Sequence, residues 1–274
     1  MWLNTYKAGE FDLACPRNPS HGVLTAGGQS VGWGVLAERS KHSAWERVSG
    51  FMVSCNKKLG VIFDMDGVLV DTAWAHRRSW FDLAAKEGLE MSDEFFLRTF
   101  GMQNDAILPM LRPGISKEQM DCLADWKEQR YRDIVRERVE LAPGAQALLK
   151  DLKHHSFRLA IGSSAPPENL DVFWNRLSLA DWFDARVTKE EISKSKPSPE
   201  TFLKAAEKIG LAPAGCAVVE DAVPGVQAGR AAGMRVVAVA TTRRREDLAQ
   251  ADCIVDSLTE LKAADFLTLL RNHP

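Results

Sequence analysis

The sequence has no long hydrophobic segment, no large excess of one charge and no cysteine pattern that would bind a metal. No run approaches the roughly 18 apolar residues of a transmembrane helix, so we expect no membrane partner. The net charge of −2 gives no basic surface of the kind that binds nucleic acid, and we expect no such partner. The five cysteines are odd in number, scattered and without Cys-x-x-Cys spacing, which predicts reduced thiols in a cytoplasmic protein.

The first 56 residues also lack a regular pattern. Gly and Ser are frequent there, and no helical or strand period is sustained. A basic segment followed by a long apolar core is missing, so we expect no secretory signal. The glycine-rich stretch 27–34 has neither the spacing nor the βαβ context of a nucleotide-binding loop. We therefore predict that residues 1–56 form a poorly ordered N-terminal extension.

A short apolar run that ends on two carboxylates organises the rest of the chain. Residues 59–63 are rich in β-branched and aromatic side chains, which predicts a buried strand. Asp64 and Asp66 follow at positions i and i+2, and Gly67 allows the backbone to turn. A lone Asp-x-Asp would indicate only a solvated acidic turn. Because three further polar clusters follow predicted strands, the acids indicate a ligand site at a sheet edge instead.

Two different patterns divide the remaining chain. Residues 72–138 predict helices and no strand, whereas strands and helices alternate from residue 139 onward. We therefore predict an α/β fold, with a parallel-sheet core from residues 57–71 and 139–274 and a helical cap inserted at 72–138. The later predicted strands are 157–162, 186–188, 216–220, 236–240 and 253–255. The predicted helices are 74–87, 92–98, 103–111, 116–138, 143–155, 167–176, 198–209, 223–232 and 257–270.

The three further polar clusters lie beside later strands and helices. Ser163 and Ser164 directly follow the second predicted strand, where hydroxyl and N–H groups either seat an oxyanion or cap a helix. Lys196 lies in the loop before a predicted helix, a place where most lysines are merely solvated. Glu220 and Asp221 end the fourth predicted strand, and two adjacent acids are hard to bury without a cation.

Together these groups suit a phosphate ester. A phosphate dianion needs positive charge, because carboxylates alone would repel it. Mg²⁺ takes oxygen ligands, so Asp64 and Asp221 could hold it while Lys196 adds a second positive charge. Ser163 would donate to a phosphate oxygen. A carboxylate beside the metal can form an aspartyl-phosphate, and Asp66 can protonate the leaving group if burial and neighbouring acids raise its pKa.

The four clusters, in this order, resemble the motifs of the haloacid dehalogenase superfamily, and within it those of the β-phosphoglucomutase-like phosphatases. The resemblance spans residues 58–256. It is carried by Asp64-Met65-Asp66-Gly67-Val68-Leu69-Val70-Asp71-Thr72, Ser163, Lys196-Pro197-Ser198-Pro199-Glu200 and Glu220-Asp221-Ala222-Val223-Pro224-Gly225. It implies a Rossmann-like parallel sheet core with an inserted helical cap domain that closes over the site. The second Asp argues against a dehalogenase, which lacks an acid/base there.

The resemblance also implies a role for each motif residue. Asp64 would be the nucleophile and Asp66 the general acid/base. Asp64, the backbone carbonyl of Asp66, and Asp221 would bind Mg²⁺, with Glu220 close by. The residues implied to hold the transferring phosphate are Ser163, the Ser164 backbone and Lys196. The residues implied to support the acid/base or contact substrate are Thr72, His76 and Lys127.

The resemblance leaves the reaction open between hydrolysis and phosphate transfer within the substrate. A mutase must hold a second phosphate, for which the family uses a cap arginine and a Ser-Lys-Asn run. Residues 101–105 lack the arginine, and residues 165–167 read Ala-Pro-Pro. We therefore predict a Mg²⁺-dependent phosphatase that hydrolyses a small phosphomonoester through an aspartyl-phosphate on Asp64. The alternative is a β-phosphoglucomutase that interconverts β-glucose 1-phosphate and glucose 6-phosphate.

Other classes of protein fit the sequence less well. A receiver-like signalling module also phosphorylates an Asp, but it has no use for Asp66 or a helical cap. A regulatory protein without turnover is disfavoured because no motif residue is missing. We interpret residues 243–245, Arg-Arg-Arg, as a solvated turn rather than a nucleic-acid patch. We expect a monomer whose partner is a small-molecule phosphate ester.

Overall fold

The structure is a computed structural model that describes residues 58–271. The predicted extension, residues 1–56, lies outside the described residues. The strands are β1 Gly60–Phe63, β2 Arg158–Gly162, β3 Ala185–Val187, β4 Cys216–Glu220, β5 Arg235–Val239 and β6 Cys253–Val255. The α-helices are α1 Ala73–Glu87, α2 Asp93–Thr99, α3 Asn104–Leu111, α4 Lys117–Val135, α5 Ala145–His154, α6 Pro167–Arg176, α7 Glu200–Lys208, α8 Val223–Ala231 and α9 Ala263–Arg271. Each strand and helix predicted from the sequence has a counterpart here.

The described strands form one parallel sheet in the order β3-β2-β1-β4-β5-β6. The strand β1 pairs with β2 on one side and with β4 on the other. All residues of β1 are buried, as expected for a parallel strand covered on both faces. The predicted α/β class is therefore confirmed. Because β1 is central, its carboxyl end lies beside those of β2 and β4, which is where the predicted polar clusters begin.

Separate apolar clusters cover the two faces of the sheet. Val61 and Phe63 of β1 belong to one cluster, together with Phe266 of α9. Ile62, between them, belongs to the other cluster with Phe202 of α7. Successive side chains of a strand point to opposite faces, so a continuous apolar run supplies both clusters. This packing fixes the position of β1, and therefore of its carboxyl end, in the middle of the sheet.

Helices α1 to α4 lie between β1 and α5, and this described segment contains no named strand. They form an apolar cluster of their own around Trp80, Leu83 and Leu108. The second half of α4 instead joins the core cluster through Tyr131 and Ile134. The inserted helical cap of the predicted fold class is thus confirmed, and the residue limits 72–138 that we assigned to it stay a prediction.

Several predicted helix limits differ from the structure, and two of these differences have local reasons. The helix predicted from residue 143 begins at Ala145, because Gly144 adopts a left-handed φ of 85° at the N-cap. The helix predicted at 257–270 splits into a 3-10 turn, Leu258–Glu260, and α9. The Ser257 hydroxyl accepts from the Thr259 N–H, and the Glu260 carboxylate accepts from the Ser257 N–H. These local hydrogen bonds close the short turn.

The described part of the chain also bears on two compositional observations. Within residues 58–271 no helix has both the length and the apolar character needed to cross a membrane. Cys122, Cys216 and Cys253 are free thiols. The other two cysteines lie outside the described residues.

Candidate active site

The predicted polar groups meet in a cavity between the carboxyl edge of the sheet and the cap helices. The predicted site residues that line this cavity are Asp64, Asp66, His76, Lys127, Ser163, Ser164, Lys196, Glu220 and Asp221. Thr72 is 1% exposed and lies behind Asp66, to which its hydroxyl donates. The fold therefore brings together groups from β1, β2, β4, the loop before α7 and two cap helices.

Lys196 lies at the centre of the acidic groups. Its Nζ donates to Asp64 Oδ1 at 2.5 Å and to Glu220 Oε1 at 2.7 Å. Its ammonium also lies 4.8 Å from the centre of the Phe202 ring, within cation–π range. Burial alone would lower the pKa of Lys196, but Asp64 and Glu220 raise it above its usual range. Lys196 is therefore a permanent cation at this point of the cavity.

The buried acids outnumber this one cation. Asp64, Glu220 and Asp221 are all less than 10% exposed: 8%, 1% and 3% respectively. Burial raises the pKa of Asp64 to about 7, although Lys196 opposes the rise. Burial, with repulsion from Glu220 and Asp64, raises the pKa of Asp221 well above its usual range. A further positive charge in this site would therefore stabilise the ionised forms of these three carboxyl groups.

Asp66 is held differently from the other acids. Its Oδ1 accepts from Thr72 Oγ1 at 2.6 Å and from Tyr131 Oη at 2.9 Å. His76 Nε2 lies 3.5 Å from the same oxygen. Burial would raise the pKa of Asp66, but His76, Thr72 and Tyr131 together lower it. The raised pKa that an acid role of Asp66 was predicted to need is therefore absent in this arrangement, because three donors converge on one oxygen.

The two serines after β2 present hydroxyl groups at the cavity. Ser163 Oγ accepts from the Ala165 N–H at 3.1 Å, which leaves its own proton for another acceptor. Ser164 Oγ is buried and has no hydrogen-bond partner among the described residues. A buried hydroxyl without a partner costs free energy unless a ligand satisfies it. Both serines therefore suit an anionic oxygen bound in the cavity.

Comparison with known families decides what kind of protein has this site. The sequence model of the family described as haloacid dehalogenase-like hydrolase matches residues 61–239. The chain belongs to the haloacid dehalogenase-like hydrolases. The superfamily and the β-phosphoglucomutase-like group predicted from the motifs are both confirmed, and so is the prediction of an enzyme.

Three relatives illustrate the similarity. Hexitol phosphatase B of Escherichia coli strain K12 is 31% identical over 76% of this chain and 96% of its own length. The fructose-1-phosphate phosphatase of the same strain is 33% identical over 66% of this chain and 95% of its own. The solved structure of β-phosphoglucomutase from Clostridium difficile superposes with a TM-score of 0.71 and 28% identity, covering 78% of this chain and 97% of that one.

The hydrolase has oxygen groups that fit the Mg²⁺ ion implied by the family resemblance. A Cβ at Gly67 would collide with Asp221 Oδ2, so the glycine lets the turn after Asp66 approach that carboxylate. Thr242 donates its hydroxyl to the same oxygen. Together with Asp64, Asp221 offers hard carboxylate oxygens of the kind that Mg²⁺ prefers, in a site where buried carboxylates outnumber Lys196.

The predicted metal ligands differ in how many hydrogen bonds their oxygens already accept. Within residues 58–271 no three Asp, Glu, His or Cys side chains form a metal-binding group, but the implied set has only two carboxylates and one peptide oxygen. Both Glu220 oxygens are engaged, since Oε1 accepts from Lys196 and Oε2 from the N–H groups of Asp221 and Ala222. Gly225 permits this arrangement, because a Cβ there would overlap the Glu220 carboxylate. Glu220 as a metal ligand stays a prediction.

The cap contributes a linked chain of polar side chains to the hydrolase site. Lys127 is 2% exposed, and its Nζ lies 3.0 Å from His76 Nδ1 and 2.8 Å from Glu128 Oε1. The His76 ring stacks on Tyr131 with ring centres 4.0 Å apart. Because His76 and Tyr131 both contact Asp66 Oδ1, the cap helices α1 and α4 help to orient this carboxylate.

Sequence reasoning missed several residues of this site. It placed Tyr131 only on an apolar stripe of α4, and it did not single out Glu128 or Asn169. It also interpreted Arg243 as part of a solvated turn, whereas Arg243 donates to the backbone oxygens of Leu97, at 2.9 Å, and Phe100 in the cap. No motif marks the contacts of these residues with Asp66, Asn104, Leu97 and Phe100, because these partners are distant in sequence.

Proposed function

We propose that the enzyme is a Mg²⁺-dependent phosphatase that hydrolyses a small sugar or polyol phosphomonoester. The observation that carries this proposal is the convergence of Asp64, Asp66 and Lys196 with the Ser163 hydroxyl on one cavity. A buried carboxylate, a permanent cation and free hydroxyl protons are the groups that phosphoryl transfer to an Asp requires. The chemical roles of Asp64, Asp66, Ser163 and Lys196 belong to this proposal.

In the proposed first step, an oxygen of Asp64 attacks phosphorus and the bond from phosphorus to the leaving oxygen breaks. Lys196 and Ser163 hold the transferring phosphate. When bound, Mg²⁺ would supply positive charge that neutralises the phosphate and offsets the burial that raises the pKa of Asp64. Asp64, the Asp66 carbonyl and Asp221 would hold the ion. The product of this step is an aspartyl-phosphate on Asp64.

Asp66 would move the protons of both steps. Its Oδ1 is anchored by Thr72 and Tyr131, which leaves Oδ2 for the reacting groups. The lowered pKa suits the second step, in which ionised Asp66 takes a proton from the attacking water. In the first step a phosphate dianion beside Asp66 would raise that pKa, because like charge disfavours ionisation, and Asp66 could then protonate the leaving oxygen.

The size of the cavity and the relatives support a small substrate. The cavity has a volume of about 180 Å³, below the range of roughly 300–1,000 Å³ that is typical of sites for drug-sized ligands. Two relatives are named as phosphatases of hexitol phosphates and of fructose 1-phosphate. We therefore propose a sugar or polyol phosphate rather than a nucleotide or polymer.

Phosphate release is expected to require Mg²⁺. We expect turnover of at least one ester in a panel of hexose, hexitol and triose phosphates with Mg²⁺ present, and background release after chelation by EDTA. Restoring Mg²⁺ should restore the rate, which controls for damage by the chelator. Full activity after exhaustive chelation would refute the metal requirement, and no turnover of any ester would refute the phosphatase.

The mutase alternative is supported by two relatives, the β-phosphoglucomutases of Clostridium difficile and of Bacillus subtilis. Against it, residue 104, at the aligned place of the cap arginine, is Asn, and its side-chain nitrogen donates to Glu128. Residues 165–167 likewise offer no cation for a second phosphate. A second phosphate would therefore lose charge-assisted hydrogen bonds, which are about twice as strong as neutral ones.

Product analysis separates the two reactions. If β-glucose 1-phosphate is accepted, with glucose 1,6-bisphosphate as primer, we expect mostly glucose and inorganic phosphate by phosphorus NMR. The reason is that residues 104 and 165–167 offer the second phosphate of the bisphosphate no cationic partner. Rapid formation of glucose 6-phosphate as the main product would instead establish the mutase and would exclude the hydrolase as the principal activity.

A further inference from the structure

Asn104, Asp125, Lys127 and Glu128 are cap residues that line the cavity, and we call this side of it the cap wall. Glu128 is a buried carboxylate in this wall, and both of its oxygens accept hydrogen bonds. It is 8% exposed and lines the cavity. Its Oε1 accepts from Lys127 Nζ and from Asn104 Nδ2, both at 2.8 Å, and its Oε2 accepts from Asn169 Nδ2 at 2.6 Å. Burial would raise its pKa, but Lys127, His76 and Asn104 lower it to about 2. Glu128 is therefore negatively charged near neutral pH.

Glu128 neutralises the positive charge that Lys127 brings to the cap wall. Lys127 is the cap lysine that faces the cavity, and its Nζ already contacts Glu128 and His76 Nδ1. An ammonium group has three donors, so at most one remains for a substrate. The Lys127–Glu128 pair has no net charge, and a buried pair of this kind attracts a further anion much less than a free lysine would.

Glu128 also orients the amide of Asn104. A carboxylate only accepts hydrogen bonds, so Asn104 must turn its nitrogen toward Glu128 and its oxygen away. Asn104 itself lines the cavity. Its free oxygen accepts hydrogen bonds from hydroxyl groups and repels carboxylate or phosphate oxygens. The cap wall therefore presents groups that suit a hydroxylated, uncharged molecule.

The other charged groups around the cavity do not reverse this balance on the cap side. Asp125, on α4, adds a further negative charge to the lining. Apart from Lys127 and Lys196, the lysine that lines the described cavity is Lys189, which is exposed and belongs to the core. Asp125 is exposed as well, and exposed charges are screened by solvent, so Asp125 and Lys189 each contribute less than a buried charge would.

We propose that Glu128 is a specificity-determining residue that selects phosphate esters with an uncharged, hydroxylated leaving group and rejects leaving groups that carry a carboxylate or a second phosphate. The proposal rests on the phosphatase function proposed above and names the substrate class of the same site. The transferring phosphate is held by the core groups, whereas the leaving group lies against the cap wall that Glu128 controls.

Matched substrate pairs test this selection in the wild-type enzyme. Glycerol 3-phosphate and 3-phosphoglycerate differ only in a hydroxymethyl group that becomes a carboxylate. Fructose 1-phosphate and fructose 1,6-bisphosphate differ by one phosphate. We expect kcat/KM to be at least about tenfold higher for the uncharged leaving group of each pair. The reason is that the neutral Lys127–Glu128 pair leaves an added negative charge without a cation to offset its desolvation. Equal values, or a preference for the charged member, would overturn the proposal and would point to Lys189.

The variant Glu128→Gln tests whether this residue is the cause. It keeps the size of the side chain, removes the charge and leaves Lys127 with an uncompensated positive charge. We expect the ratio of kcat/KM for the uncharged member of each pair to kcat/KM for the charged member to fall at least about tenfold. Glu137→Gln is the matched control, because Glu137 has a 63% exposed side chain that pairs with Arg78 away from the cavity lining. The control should leave both ratios unchanged.

The possible outcomes are distinguishable. If wild-type enzyme hydrolyses none of the four esters nor any ester of the wider panel, the phosphatase function itself fails. If esters are hydrolysed but the wild-type ratios are near one, or Glu128→Gln leaves them unchanged, only the specificity proposal fails. Circular dichroism melting reports whether the variant folds. If the variant does not fold, the wild-type kcat/KM ratios decide alone. A ratio of at least about tenfold in favour of the uncharged member supports the proposal, and a smaller ratio contradicts it.

Discussion

Replacement of Asp64 by Asn should lower phosphate release at least about 100-fold while the enzyme stays folded. An amide oxygen is a poor nucleophile, so the aspartyl-phosphate cannot form at a useful rate. The fold should tolerate the change because Asn has the same shape and its oxygen can still accept from Lys196. The substitution also removes a buried ionisable carboxyl group, and burial raises the pKa of this group to about 7. The measurements are released phosphate and the thermal melting curve.

Asp71→Asn is the matched control for this experiment. Asp71 lies in the same motif, but its side chain is exposed and it does not line the cavity. We expect its activity to be close to wild type. A folded Asp64→Asn enzyme that retained more than about one per cent of the wild-type rate would remove Asp64 from the nucleophile role.

Replacement of Lys196 by Met should abolish turnover and also destabilise the fold. Lys196 is the cation that contacts Asp64 and Glu220, and its side chain is 10% exposed. Without it, Asp64, Glu220 and Asp221 would share a buried site with no compensating charge. Breaking a buried ion pair by removing one partner typically costs about 3–5 kcal/mol of unfolding free energy. Urea denaturation without added metal measures this loss directly.

Two further variants interpret the result for Lys196. Lys117→Met removes an ion pair with Asp121 whose lysine side chain is 82% exposed, and it should change the unfolding free energy by less than about 1 kcal/mol. Lys196→Arg keeps the charge but not the compact ammonium, so it should recover stability more than turnover. A Lys196→Met enzyme as stable as the control would show that the buried acids do not depend on this cation.

Much of the fold could be predicted because its signals are local. An apolar strand can be recognised from its own residues, as in residues 59–63, and the strand observed is Gly60–Phe63. Parallel strands end at the same edge of a sheet, so polar groups that follow different strands were expected to meet there. Asp64, Ser163, Lys196 and Asp221 do line one cavity. Their chemical roles stay predictions.

Limits of helices were predicted less well, because they depend on hydrogen bonds of single residues. The helix predicted to continue to residue 138 ends at Val135, and the one predicted from residue 198 begins at Glu200. The Glu200 carboxylate accepts from the N–H groups of Ser193 and Lys194, which fastens the preceding loop to the helix start. Such contacts are not visible in a periodic pattern.

The sequence by itself determined the order of strands and helices, the family and the set of acids, serines and lysine at the sheet edge. Only the tertiary structure decided which groups surround each acid. Tyr131 and Thr72 lie 65 and 6 residues from Asp66, yet both donate to the same oxygen, and the pKa of Asp66 is therefore lowered rather than raised. Ionisation and specificity depend on distances between side chains, and these distances arise only when the cap helices pack over the sheet.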